Sequence, residues 1–150
     1  MLEIIRLVWT LPNQLLGAVG AIGGKRARVE TSPRAHVVVG SWLGRFMAKS
    51  GLSSATTLGD FILIGKEEGL AREALIAHER VHVLQSNLLG PLYLPMTLIG
   101  YLMSGVISKG KEWHDASPLE IDADIRSGHR ANVESNPFAL AKIARAKRDV

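Results

Sequence analysis

A chain of 150 residues, 47% hydrophobic and 21% charged, is long enough to bury a core without cross-links and too apolar for intrinsic disorder. It holds no cysteine, so disulfides, iron–sulfur clusters and thiol chemistry are excluded, and a metal would have to be held by His, Asp and Glu. The net charge of +4 is uneven: seven cations against Glu3 and Glu30 in residues 1–50, with no aromatic-interleaved basic stripe, so contact with an anionic membrane surface, or mere solubility, is the better reading and nucleic acid is not expected.

Two stretches lack charge, 18 residues at 7–24 and 24 residues at 85–108. Each approaches the length that spans a bilayer. The first contains Pro12, Asn13, Gln14 and four glycines, and residues 11–23 read as a hydrophobic helix or helical hairpin closed by Gly23-Gly24. It is a membrane-associating or packing segment; as a secretory signal it has only Arg6 against Glu3 in front of it. Residues 26–31 and 36–39 read as short strands, with Ser32-Pro33 as the turn between them. Residues 41–50 form a helical turn ended by Gly51. Residues 56–64, β-branched and apolar, read as one strand apart from Gly59 and Asp60. The polar break Gly65-Lys66-Glu67-Glu68-Gly69 precedes a helix over 70–89. Residues 91–107 read as a hydrophobic helix interrupted by Pro91 and Pro95, and 109–116 as a polar loop. Ser117-Pro118 opens a helix to about Ser127, and Asn136-Pro137 a last basic helix to Arg148. Strands followed by helices indicate α+β, in one domain over 1–150.

The chemistry sits in Ala77-His78-Glu79-Arg80-Val81-His82-Val83-Leu84-Gln85. His78 and His82, spaced i and i+4 on a helix, share a face and can reach one ion. Glu79 lies about 100° round from His78, beside the ion and not on it, where a carboxylate can take a proton from water. This is the H-E-x-x-H pattern of zinc proteases. Arg80 is charged where such helices usually carry an uncharged residue, and this questions the burial of its face.

A catalytic zinc takes three protein ligands and keeps one position for water. The downstream donors are His114, Asp115, Glu120, Asp122, Asp124 and His129. Glu120 and Asp124 are i and i+4, so one helix can offer a ligand carboxylate and, one turn on, a second carboxylate to orient a ligand histidine. Ile121 and Ile125 would pack inward, with Asp122 pointing elsewhere. Glu120 also fits a capping box with Ser117, and His114 is the alternative third ligand.

Taken together, H-E-x-x-H followed by E-x-x-x-D resembles the gluzincins, the thermolysin-like metallopeptidase clan. The resemblance implies a small zincin-like domain in which His78, His82 and Glu120 bind Zn2+. Glu79 would be the general base and acid toward a peptide or protein substrate, and Asp124 would orient a histidine. His78–Gln85, then Gly90-Pro91-Leu92-Tyr93-Leu94-Pro95, then Ser117-Pro118-Leu119-Glu120 also resemble a group of small bacterial proteins with an HExxHVxQ…GPLYLP…NPxE layout, which brings no substrate with it. Trp9-Thr10-Leu11-Pro12-Asn13 adds to that likeness.

If residues 88–107 crossed a bilayer, the histidines and Glu120 would lie on opposite sides and could not share an ion. Pro91 and Pro95 instead suit a re-entrant, interfacial or buried element. If 7–24 spans, the Lys25-Arg26-Arg28 cluster predicts a cytoplasmic site. If both stretches are buried, the chain is cytoplasmic. Against a membrane-associated zinc peptidase stand two other readings: a zinc-stabilised binding or scaffold module without turnover, and a membrane-associated structural protein without metal.

Overall fold

The computed structural model describes residues 2–29, 35–69, 73–108, 113–114 and 117–128. The expected Ser32-Pro33 turn, most of the 109–116 loop and the helix from Asn136 lie outside them. Among the described residues the fold is α+β, with five α-helices and a four-stranded mixed sheet. The chain divides into two compact units, Met1–Leu94 and Pro95–Val150.

The first unit begins with α1 (Leu2–Gly20), a longer helix than the sequence suggested. Pro12 sits inside it on the exposed side, while the buried side is polar or small: Thr10, Asn13, Gly17 and Gly20. Asn13 Nδ2 donates to Ser86 Oγ at 3.1 Å and to Gly90 O at 2.7 Å. These long-range bonds hold the helix where local propensity alone would break it. At Gly17 a Cβ would fall 2.3 Å from Leu58 O, so only glycine allows this approach to the sheet.

The sheet has the order β1-β2-β4-β3. β1 is only Lys25–Arg26, shorter than the expected 26–31, and pairs antiparallel with β2 (His36–Val39). The expected strand over 56–64 is a hairpin, β3 (Ala55–Leu58) and β4 (Phe61–Ile64), turning at Gly59-Asp60 with Gly59 at φ +61°. A β-branched run does not reveal a two-residue turn, but a positive φ favours glycine at that point. β4 runs parallel to β2, with Val37 beside Ile62 and Val39 beside Ile64. Between β2 and β3 lies α2 (Trp42–Lys49), capped by Ser41 Oγ, which accepts from Gly44 N at 3.2 Å. α3 (Glu73–Leu89) lays Ile76 and Val83 on the core formed by Val37, Val39, Ala55, Ile62 and Ile64. Full burial of each of these valines and isoleucines contributes about 1.5–3 kcal/mol.

The turn of the hairpin is tied down by polar groups. Arg6 Nη1 donates to Asp60 Oδ2 and to Asn87 Oδ1, both at 2.9 Å, and Asn87 Nδ2 donates to Asp60 Oδ1 at 3.1 Å. α1, the hairpin and α3 are thereby joined at one corner.

In the second unit α4 (Tyr93–Ile107, entering this unit at Pro95) is followed by α5 (Pro118–Ser127). A 3-10 turn, Gly90–Leu92, precedes α4, and Pro95 falls in its first turn, where a missing N–H costs nothing. A Cβ at Gly100 would stand 2.5 Å from Ser117 Oγ, so glycine lets the start of α5 lie against α4. The left-handed Gly128, φ +73°, closes α5. Of its expected inward residues, Ile121 is buried but Ile125 is exposed; Glu120 and Ala123 are buried beside Ile121. The helical run Glu73–Ile107 is long and apolar enough to cross a membrane, with 28% of its most apolar window buried.

Candidate functional site

α3 carries three of the expected residues. His78, Glu79 and His82 are all buried, Glu79 to 4% exposure, while Arg80 points to solvent. The charge of Arg80 therefore does not open the face that carries His78 and His82. The i, i+4 spacing brings the two imidazoles together with Nε2 atoms 3.1 Å apart and rings at 78°. Two nitrogens bound to one tetrahedral ion at about 2.0–2.1 Å stand roughly 3.3 Å apart. The pair is thus already spaced for a single ion.

His82 has a polar partner one turn along α3. Its Nδ1 is 2.8 Å from Gln85 Oε1, a carbonyl-type oxygen that can only accept. With that oxygen as acceptor, Nδ1 carries the proton and Nε2, facing His78, keeps its lone pair. Gln85 lies one turn beyond His82, a spacing visible in the sequence. An amide acceptor does the same work as a carboxylate in holding a ligand imidazole.

Glu79 points to the sheet. Thr57 Oγ1, on β3, donates to Glu79 Oε2 at 2.7 Å and lies 3.2 Å from the Glu79 carbonyl oxygen. One carboxylate oxygen is thereby held against the edge strand. Thr57 was legible only as a strand residue, since its partner is 22 positions away.

In the second unit Glu120 is 3% exposed. Tyr101 Oη donates to Glu120 Oε1 at 2.9 Å, and His114 Nε2 lies 3.2 Å from the same oxygen. The capping-box alternative does not hold. The Ser117 hydroxyl makes no capping bond, and the Ser117 N–H donates to His114 O at 2.9 Å instead of to Glu120. Glu120 is a buried carboxylate approached by a phenol and an imidazole, on a helix start that does not use it as a cap. Asp124 lies one turn on and is half-buried. Asp122 pairs with Arg126 at 2.9 Å, on the outer side as expected.

By donor type, His78 and His82 of the first unit and Glu120 of the second are two imidazoles and a carboxylate, a set that could hold a metal ion. Comparison of the chain with family models, curated proteins and solved structures gives no match.

Proposed function

We propose that this protein is a zinc-dependent peptidase of the gluzincin type, with His78, His82 and Glu120 as ligands and a peptide or protein as substrate. The observation that carries the reading is the buried His78–His82 pair, its Nε2 atoms 3.1 Å apart and one tautomer held by Gln85. Two neutral imidazoles and one carboxylate suit zinc in a four-coordinate site that keeps a position for water. Zinc bound there would supply Lewis-acid polarisation of water and of a substrate carbonyl.

The remaining roles fall to the chain itself. Glu79 takes the proton of the attacking water and delivers it to the leaving amine. Thr57 keeps Glu79 Oε2 in place, so the proton is received on Oε1. β3 stands at the edge of the sheet, and an extended peptide adding to it would lie beside that carboxylate. Asp124, on the helix of Glu120, is suited to orient a ligand imidazole.

The test is metal content and turnover in one set of proteins. Wild type dialysed against zinc should retain about one equivalent, and His82→Ala should lose it. Glu79→Gln should keep the zinc and lose at least about a hundredfold of the activity against casein or a peptide library. A wild type that holds zinc without turnover would point to a zinc-stabilised scaffold, and one that never holds zinc would end both readings.

A further inference from the structure

α1 is inside out for a helix in water. A surface helix normally turns its apolar stripe to the core and its polar stripe to solvent. Here the stripe facing the protein is Arg6, Thr10, Asn13, Gln14, Gly17 and Gly20, each buried or half-buried. Arg6 and the Asn13 amide nitrogen in it bond to Asp60, Asn87, Ser86 and the carbonyl of Gly90, while Asn13 Oδ1 is buried without a partner. The outward stripe is apolar throughout: Ile4 is 66% exposed, Val8 68%, Leu15 59% and Val19 52%. At 1.5 Å per residue it is about 23 Å long. Beside it, Ile4, Ile5, Val8, Trp9 and Pro12 line an almost wholly apolar groove with Pro91.

The end of this stripe has a different chemistry. Trp42 Nε1 donates to Val19 O at 2.7 Å, which fastens α2 to the C-terminal end of α1. α2 turns Trp42, Phe46, Arg45 and Lys49 outward. Arg45 reaches the Gly23 turn that follows α1, and Lys25 is exposed just beyond it. The stretches 4–29 and 36–50 contain no Asp or Glu. An apolar strip bordered by exposed aromatics and cations is the composition of an element seated between acyl chains and headgroups.

We infer that α1 docks on the surface of an anionic phospholipid bilayer, its outward stripe among the acyl chains and the Lys25–Arg45–Trp42–Phe46 rim among the headgroups. The helix lies in the interface and does not cross it. Its polar stripe is bonded to the sheet and α3, so crossing would carry the sheet into hydrocarbon. A second copy of the chain is the poorer occupant, because it would bring the same cations to a rim that offers no acid to meet them. This seat is independent of the metal.

The experiment is flotation of the full chain with phosphatidylcholine vesicles, with and without phosphatidylglycerol. Wild type should float with the anionic vesicles. Leu15→Glu should partition at least about tenfold more weakly, from the lost burial of one leucine alone. Lys25→Gln with Arg45→Gln should lose about thirtyfold on anionic vesicles and be unchanged on neutral ones, at about 1 kcal/mol per cation. Circular dichroism checks that the variants fold. In a Trp113→Phe background the emission of Trp9 and Trp42 should shift to the blue on adding anionic vesicles, a readout that needs no disruptive variant. Any of three results overturns the inference: no flotation and no spectral shift, flotation indifferent to both sets of substitutions, or a lipid-free dimer that Leu15→Glu converts to monomer.

Discussion

Gln85→Leu isolates the amide that orients His82. The substitution removes the acceptor of the 2.8 Å bond and leaves His82 Nδ1–H facing an apolar side chain, in a residue only 5% exposed. A buried donor deprived of its acceptor costs about 1–3 kcal/mol. Moving the proton to Nε2 relieves this cost, because Nε2 stands 3.1 Å from His78 Nε2 and can donate to it. That tautomer has no lone pair left for a metal. Zinc must then reverse the shift, so affinity should fall tenfold to a hundredfold, or about 1.4–2.7 kcal/mol. Gln85→Glu keeps an acceptor and should stay within a few-fold of wild type. Competition against a chromophoric zinc chelator measures the affinities. Nitrogen-15 NMR of the metal-free imidazoles reads the tautomer directly. A folded Gln85→Leu protein that binds zinc as wild type does would refute the orienting role, and an unchanged His82 tautomer would refute the mechanism behind it.

Three further outcomes are expected. Glu120→Ala should weaken zinc binding by far more than Asp122→Ala, whose partly exposed i, i+4 pair with Arg126 contributes about 0.3–0.5 kcal/mol of stability; the same chelator titration with a urea melt separates the two. Ile64→Ala, at a fully buried core position, should lower stability by about 2–5 kcal/mol in denaturant unfolding. Gly17→Ala should destabilise although alanine is the better helix former by about 1 kcal/mol. The new methyl would meet Leu58 O at 2.3 Å and the Phe61 ring at 2.6 Å, and overpacking of that kind costs about 1–3 kcal/mol.

What could be read from the sequence was what local spacing determines. The i, i+4 histidines, the Ser117-Pro118 helix start and the apolar strand His36–Val39 each carry their signal within a few residues, and each stands where it was expected. The start of α1 was placed too late because Pro12, Asn13 and Gln14 break a helix by propensity. Asn13 stays helical through partners 73 and 77 positions away, which no window contains. The hairpin was read as one strand because apolar residues flank Gly59-Asp60 on both sides. The role of Gln85 was missed for another reason: its spacing from His82 is plain, but spacing alone does not say which of two flanking polar groups meets a ring nitrogen. Thr57 and Glu79 find each other only through the packing of α3 on the sheet.

The anchoring of α1 has a consequence for the order of synthesis. Its buried polar stripe is completed by Asp60, Ser86, Asn87 and Gly90, so the helix leaves the ribosome long before the groups that satisfy it. The 73 residues between Asn13 and Ser86 take about 4–15 s to translate at ordinary rates of elongation. Through that interval one side of the helix offers unsatisfied amides and the other bare aliphatic side chains. A helix turn forms in well under a microsecond, so neither slow nucleation nor slow propagation protects it. The sheet cannot shelter it either, since β4 ends at Ile64 and α3, which closes the polar corner, has yet to emerge. The early chain therefore depends on whatever first covers α1, and a translation pause placed before α3 should raise aggregation more than one placed after it.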